Sequence, residues 1–380
     1  MPEAELSLLA SETKVDLYSK KLQSEVILKL ILHCLVSHKQ NSLRGLSSAY
    51  ESIAFKLLNH PQNKGKIQIS SISERLSTMN PIYFERLFGI CVERYKEYFG
   101  EQTDTIIKFD STIVALSSLL LKNGYQLKGG DASKFNQLKF TVGHTDIPEI
   151  VHFYTDIKYT SENAALKETM QAHSKKDKSL IKVFDRGITS RNTYDELTEK
   201  GVNFISRLSI VAKHEMHSKN ILKQPVKTST LIIQSDCWVF LYKEKGIKSI
   251  HPVRRIEATR IKDGQQITFV TNLKKASASE ITKLYKRRWE IEIFFKFIKQ
   301  ELNFSHLINR SENGIRVMLY ITMIAAVLLL VYKKTNNLSG YKMVKIKFAQ
   351  ELEEDIIKTI IILSGGNLEK VEFLFKNNSS

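Results

Sequence analysis

Cysteine is scarce in this 380-residue chain. Cys34, Cys91 and Cys237 lie too far apart for a paired zinc-ligand motif, and three is an odd count for a disulfide framework. A disulfide-stapled secreted domain is thereby disfavoured, and a reducing cytosol fits. The opening segment MPEAELSLLASETK is not expected to act as a secretory signal, having acids early and no basic stretch ahead of a long apolar one. No internal repeat or low-complexity block is present, and tryptophan occurs only at 238 and 289. Negative charge is short as well: 40 acids face 57 Lys and Arg, for a formal net charge of +17. Such a field favours a polyanionic partner, nucleic acid before anionic membrane.

Long hydrophobic runs are nearly absent. The exception, Val317 to Tyr332, has sixteen residues without a charge. As a helix it would span roughly 24 Å, short of the roughly 30 Å hydrocarbon core. A central helix of a large α/β domain is also apolar all round, so the run is expected to be a buried helix, with no membrane partner.

The positive charge that is there is concentrated. Residues 209–310 hold 20 Lys or Arg against 9 acids, whereas the first hundred residues hold 13 against 10. The polyanion surface is expected in the later middle of the chain.

The pattern along the chain divides it into five parts. Residues 1–100 read as an N-terminal helical, DNA-binding region: Leu22, Val26, Ile27, Leu30, Ile31 and Cys34 recur at helical spacing, and SISERLSTMNPIYFERLF reads as helix, turn and helix. That motif suits either a helix-turn-helix reader or two packed helices of a bundle. Residues 101–208 read as the first part of a catalytic core: two short apolar runs around Asp110 as in a hairpin, a turn-rich patch at 123–135, a strand LKFTVG, then strands alternating with helices. Residues 209–278 form a basic β-rich insertion. The helical segment of 279–335 completes the core, and 336–380 is a C-terminal helical region suited to dimerisation. The fold class is α/β, a mixed sheet flanked by helices.

Asp110 and Asp185 each end an apolar run, where carboxylates of neighbouring strands can face one another and offer oxygen ligands to a hard cation. A third acid comes from SEITKLYKRRWEIEIFFKFIKQEL. At about 100° per residue, Tyr285, Arg288, Glu292, Lys296 and Lys299 share one face, while Leu284, Ile291, Phe295, Ile298 and Leu302 form a separate apolar stripe. Glu290 falls on neither, so Glu292 is the preferred ligand. An ordinary solvated face of i, i+4 charge pairs would show the same composition. Trp289 is expected to pack in the core, and His144 to be structural.

Tyr285, Arg288, Glu292 and Lys299, with two, three and six residues between them, resemble the YREK signature of insertion-sequence-4-type DDE transposases. Asp110 in FDST and Asp185 in FDRG stand where that family places its first two catalytic aspartates. The resemblance covers about residues 100–332 and implies an RNase H-like core interrupted by the β-rich insertion between the second aspartate and the glutamate. It implies catalytic, metal-binding roles for Asp110, Asp185 and Glu292, with two Mg²⁺ ions and Mn²⁺ as substitute. It implies phosphate contacts from Tyr285, Arg288 and Lys299 near the transposon's 5′ end, with Lys296 added from its place on the same face. Trp238, in the insertion, is a candidate for stacking on a flipped base, core packing being the alternative. The expected partners are double-stranded DNA, namely terminal inverted repeats and target DNA, and a second copy of the chain, since two ends must be joined. The setting is a bacterial cytoplasm.

Overall fold

The computed structural model describes residues 3–37, 42–59, 65–100, 105–115, 125–126, 136–188, 190–243, 246–304 and 306–375. Contacts divide it into two compact units: Met1–Tyr98 with Lys296–Ser380, and Phe99–Phe295.

The second unit is built on one mixed sheet. Its strands are β1 (Ile106–Ala115), β2 (Tyr125–Gln126), β3 (Asn136–His144), β4 (Pro148–Tyr154), β5 (Ile181–Phe184), β6 (Phe204–Leu208), β7 (His214–Met216), β8 (Val226–Lys227), β9 (Leu231–Leu241), β10 (Val253–Arg260) and β11 (Gln266–Thr271). They run in the order β2-β3-β1-β5-β6-β11-β10-β9-β7, with β4 on β3 and β8 on β9. β5 is parallel to both β1 and β6, while β11 joins β6 antiparallel. The β-rich segment after 208 therefore extends the same sheet through β11 and does not stack on it as a separate layer.

Helices cover both faces. On one, Leu166 and Met170 of α7 (Glu162–Lys176) and Tyr194 and Leu197 of α8 (Arg191–Glu199) pack on Ile107, Phe109, Phe184 and Phe204. On the other, Ala278, Ile281 and Tyr285 of α9 (Ala278–Lys286) pack on Ile106, Val183, Ile205, Ile256 and Phe269. This is the mixed α/β architecture expected, a large sheet flanked by helices and consistent with an RNase H-like core.

Two local expectations change. Residues around Asp110 form no hairpin: β1 is one strand of ten residues, paired from Lys108 to Ala115 with β3, and it is β3 that forms a hairpin, with β4. The polar Asp-Ser-Thr step looks like a turn in sequence but is absorbed because β3 continues to satisfy its backbone. Gly143 of β3 allows this close pairing, since a Cβ there would stand 2.7 Å from both the Phe109 ring and Ile150. Of the turn-rich patch at 123–135, all but Tyr125–Gln126 lies outside the described residues.

The first unit is helical: α1 (Glu3–Thr13), α2 (Ser24–Ser37), α3 (Leu43–Glu51), α4 (Ile53–Leu58), α5 (Ile69–Thr78), α6 (Ile82–Phe99), α11 (Glu312–Thr335) and α12 (Tyr341–Leu363). α11 contains the long apolar run and is the one described helix long and apolar enough to cross a membrane. It is instead 83% buried over its most apolar window, against α2, α5 and α12. α5 and α6 are separated at Met79–Pro81 as the sequence suggests. Each buries one face, with Ile72 and Leu76 on α5 and Phe84, Leu87 and Phe88 on α6.

Candidate active site

The strand register brings the two aspartates together. β1 and β5 pair as Lys108↔Val183 and Phe109↔Phe184, and the same register carried one residue further sets Asp110 beside Asp185. Neighbouring strands lie about 4.8 Å apart, so the two residues are immediate neighbours. β6 pairs with β5 as Val183↔Ile205, and two residues further this places Arg207 beside Asp185 on its other side. Arg207 in turn pairs with Phe269 of β11. One row across the sheet thus reads Asp110, Asp185, Arg207, Phe269, all on the face covered by α9.

Above that row, α9 starts at a capping box formed by Ser277 and Glu280. The helix then breaks, contrary to the single helix expected: α10 (Trp289–Glu301) begins anew after Arg287 and Arg288. Across the break the backbone bonds tighten to i→i−3, as in Arg288 N–H to Tyr285 C=O at 2.9 Å and Ile291 N–H to Arg288 C=O at 3.1 Å. A 3₁₀-type step turns about 120° per residue. The tightened turn thus changes the angles read from a regular helix but preserves the neighbours of the face. The Tyr285 hydroxyl donates to Asp185 Oδ1 at 3.0 Å, and its ring packs edge-on against Phe269. The Arg288 guanidinium pairs with Glu292 and lies 3.7 Å from Asp110 Oδ2.

Arg288 is therefore the hub, a largely buried cation in contact with Asp110 and Glu292 and close enough to act on Asp185. Burial alone would raise the Asp185 carboxyl. The Arg186 backbone N–H, the Arg288 charge, the Tyr285 hydroxyl and the Arg207 charge outweigh it and hold that carboxyl below its ordinary value. The Tyr285 hydroxyl moves the other way, raised by burial and by the neighbouring Asp185 charge. Among the described residues the Nε atoms of Arg207 and Arg288 are buried without a hydrogen-bond partner, two donors that a phosphate oxygen would satisfy.

Three carboxylates around one cation are the donor chemistry of a hard divalent ion such as Mg²⁺ or Mn²⁺. Among the described residues no three His, Cys, Asp or Glu side chains stand close enough to hold one ion directly. Asp110 and Glu292 meet through Arg288. The residues fit the ion in kind and in charge.

Beside the row runs a groove of about 1130 Å³ between α9, the start of α10 and the strand ends of the β-rich segment. Arg207, Arg260, Lys283, Lys286, Arg287 and Arg288 line it, with Glu290 as its acid. Trp289 also lines it and is 61% exposed, which corrects the expectation that it packs in the core. The helix break turns its ring outward. Trp238 is half-buried on β9, four strands from Asp185, and is not among the lining residues. Lys296 and Lys299 are exposed further along α10, in the first unit. His144 is fully buried against Phe294, its ring nitrogens unpartnered among the described residues, and burial followed by the Lys108 charge pushes it down to about 3.

Sequence reasoning missed Arg207, Lys108 and Glu290. A lone arginine inside the apolar strand NFISRLS was the available signal for the first. Lys108 is wholly buried on β1, and its ammonium donates to Glu290 Oε2 at 2.7 Å.

Residues 101–328, most of the second unit and part of the first, match the family model described as Transposase DDE domain. A protein named as a transposase in Sinorhizobium fredii is 30% identical over 160 residues, 41% of this chain and 44% of that one. One named as the transposase of an insertion sequence element in Geobacillus stearothermophilus is 31% identical over 173 residues, 45% of this chain and 44% of the relative. A third, named for an insertion sequence element in Synechocystis, is 26% identical over 263 residues, 65% and 66% of the two chains. The chain thus spans under half the length of the first two relatives and about two thirds of the third.

Proposed function

Because the chain belongs to the family of transposase DDE domains, we propose that it is the transposase of an insertion-sequence-4-type element, cutting and rejoining DNA at terminal inverted repeats. The observation that carries this reading is the row Asp110, Asp185, Arg207 under the Tyr285–Arg288–Glu292 turn, with one guanidinium between the first aspartate and the glutamate.

In this reading Asp110, Asp185 and Glu292 are the ligands of two Mg²⁺ ions, with Mn²⁺ as substitute. Bound there, such ions lower the pKa of a water or 3′-hydroxyl and stabilise the departing oxygen of an in-line displacement at phosphorus. The chain's own groups do the rest. Arg288 and Arg207 present guanidinium donors to phosphate oxygens, and the depressed Asp185 carboxyl stays ionised as a ligand. Tyr285 orients Asp185 by its hydroxyl. In-line displacement by a water or 3′-hydroxyl needs no covalent enzyme intermediate, so Tyr285 acts here by holding Asp185 and not as a nucleophile. Lys283, Lys286 and Arg260 guide the DNA backbone along the groove, and Lys296 and Lys299 contribute phosphate contacts of their own. Double-stranded DNA is the partner, both as repeat ends and as target. Joining two ends calls for a homodimer, and the setting is the bacterial cytoplasm.

The test uses a labelled duplex bearing the element's terminal repeat. Asp110→Ala, Asp185→Ala and Glu292→Ala each abolish cleavage while binding persists, and retained cleavage by any one removes it from the ligand set. Cleavage without joining of the 3′-hydroxyl end to target DNA would reduce the activity to that of a nuclease.

A further inference from the structure

Lys108 and Glu290, joined by a hydrogen bond, each stand two residues before one of the proposed acids. Lys108 lies two residues before Asp110 on β1 and so on the same face, and Glu290 lies two residues before Glu292 on α10. Lys108 Nζ donates to Glu290 Oε2 and to the Thr145 carbonyl, each at 2.7 Å. Arg287 Nε donates to the other Glu290 oxygen at 3.0 Å, so that carboxylate is gripped from two sides. We propose that the Lys108–Glu290 pair is a positioning latch, tying the first turn of α10, which carries Glu292, to β1, which carries Asp110, so that both carboxylates face one site for a divalent cation. The proposal rests on the reading of Asp110, Asp185 and Glu292 as metal ligands.

Burying an ammonium is expensive, and an apolar residue would bind β1 to the helix more cheaply, as Ile106 does two residues earlier on the same face. An apolar contact does not fix direction; a hydrogen bond to one carboxylate oxygen does. Both ends of this bond are anchored. The ammonium is held by the Thr145 carbonyl, and the Thr145 hydroxyl donates to Glu149 at 2.6 Å, whose second oxygen faces His173. The far end is the first turn of α10, immediately after the break at Arg287–Arg288. The break interrupts the regular i→i−4 ladder between α9 and α10, and the Lys108 bond ties α10 to β1 just beyond it. Partners that bond a metal ligand directly alter metal affinity by roughly 10–100-fold when removed, and that is the upper scale for a pair that acts on the ligands through β1 and α10.

The experiment follows Mn²⁺ binding by electron paramagnetic resonance, thermal unfolding and the Mg²⁺ concentration for half-maximal end cleavage. It compares the full chain with Glu292→Gln, Glu290→Gln and the double variant Lys108→Met/Glu290→Leu. Glu292→Gln loses Mn²⁺ binding. Glu290→Gln unfolds within a few degrees of the unaltered chain yet binds Mn²⁺ more weakly, by at most roughly 10–100-fold, and needs correspondingly more Mg²⁺. The double variant, with both charges replaced by apolar groups, keeps its stability and does not regain the affinity. Unaltered affinity in Glu290→Gln beside a lost one in Glu292→Gln overturns the latch alone. Recovery of affinity in the double variant makes the pair an ordinary structural contact and overturns it too. Mn²⁺ binding that survives Glu292→Gln overturns the assignment of the acids, and the latch with it.

Discussion

Strands β1 and β5 carry nearly the same word, Lys-Phe-Asp in one and Lys-Val-Phe-Asp in the other, and the extra residue sends their lysines to opposite faces of the sheet. Side chains alternate along a strand, so Lys108 shares a face with Asp110, whereas Lys182 lies on the face opposite Asp185. Lys108 meets a carboxylate on α10. Among the described residues, Lys182 bonds the His173 imidazole at 3.1 Å and the Asp177 carbonyl at 2.9 Å, and burial pushes it down to about 8 despite the pull of Asp177 and Glu149. Equal burial thus has two outcomes. Beside the acids the ammonium bonds a carboxylate, and behind the sheet, among the described residues, it bonds an imidazole and a carbonyl.

The sharpest way to break this contrast is to substitute neighbours. Phe184 and Asp185 are adjacent but face opposite ways, the phenyl ring into the apolar layer under α7 and α8, the carboxylate toward Tyr285. Asp185→Ala is expected to abolish end cleavage while destabilising the fold less, by about 1–3 kcal/mol for the buried Tyr285 hydroxyl it leaves unpaired. Phe184→Ala is expected to destabilise the fold by about 3–5 kcal/mol through the cavity it leaves. Cleavage per folded molecule, at a temperature where the variant remains folded, should stay close to that of the unaltered chain. Urea titration paired with single-turnover cleavage measures both. A Phe184→Ala variant that is stable but inactive would mean the two faces are not separable.

The lone lysine gives the next largest effect. Lys182 has an ordinary value of 10.5 and a folded value of about 8. Between those limits the unfolded chain binds more protons than the folded one, so this group's contribution to stability rises with pH across that window. Below about pH 8 the buried charge is a full penalty. Lys182→Met should therefore be more stable than the unaltered chain near pH 7, on the order of 1–3 kcal/mol, since each tenfold loss of proton affinity on folding corresponds to about 1.4 kcal/mol. The advantage should shrink as pH approaches 10. Parallel stability curves for the two proteins over pH 7–10 would show that Lys182 does not titrate as its burial demands.

These contrasts mark what could be read from sequence alone. The Tyr285, Arg288 and Glu292 face was legible because helical neighbours are set by local spacing, and it survived even the break at Arg287–Arg288, since i, i+3 and i, i+4 pairs meet in either geometry. The long apolar helix was legible because no polar face was available to it. The adjacency of Asp110 and Asp185 depends on which strands pair and in what register, and no single strand encodes that. The Asp-Ser-Thr step mimicked a turn for the same reason: a polar residue inside a strand looks like an end until its partner strand is known. Glu290 was set aside as pointing away from Glu292, which is true; it points to Lys108, a residue visible only once β1 lies beneath α10.

The smallest expected effect tests whether the row continues past the acids. Arg207 follows Asp185 across the sheet and lines the groove, but among the described residues it has no carboxylate bonded to it as Arg288 has, and its Nε is buried without a partner. If a DNA phosphate completes its hydrogen bonding, Arg207→Ala should lower the slope of log affinity against log salt by about 0.9, the signature of one fewer neutralised phosphate. Arg255 is the control, since its Nε is buried and unpartnered as well but its guanidinium is held by Glu257 and it does not line the groove. Arg255→Ala should leave the slope unchanged. Equal slopes for all three proteins, measured on a repeat-bearing duplex between low and physiological salt, would confine phosphate recognition to the α9–α10 side of the groove. A lowered slope for Arg207→Ala alone would make the strand row, and not just the helix turn above it, part of the DNA-binding surface.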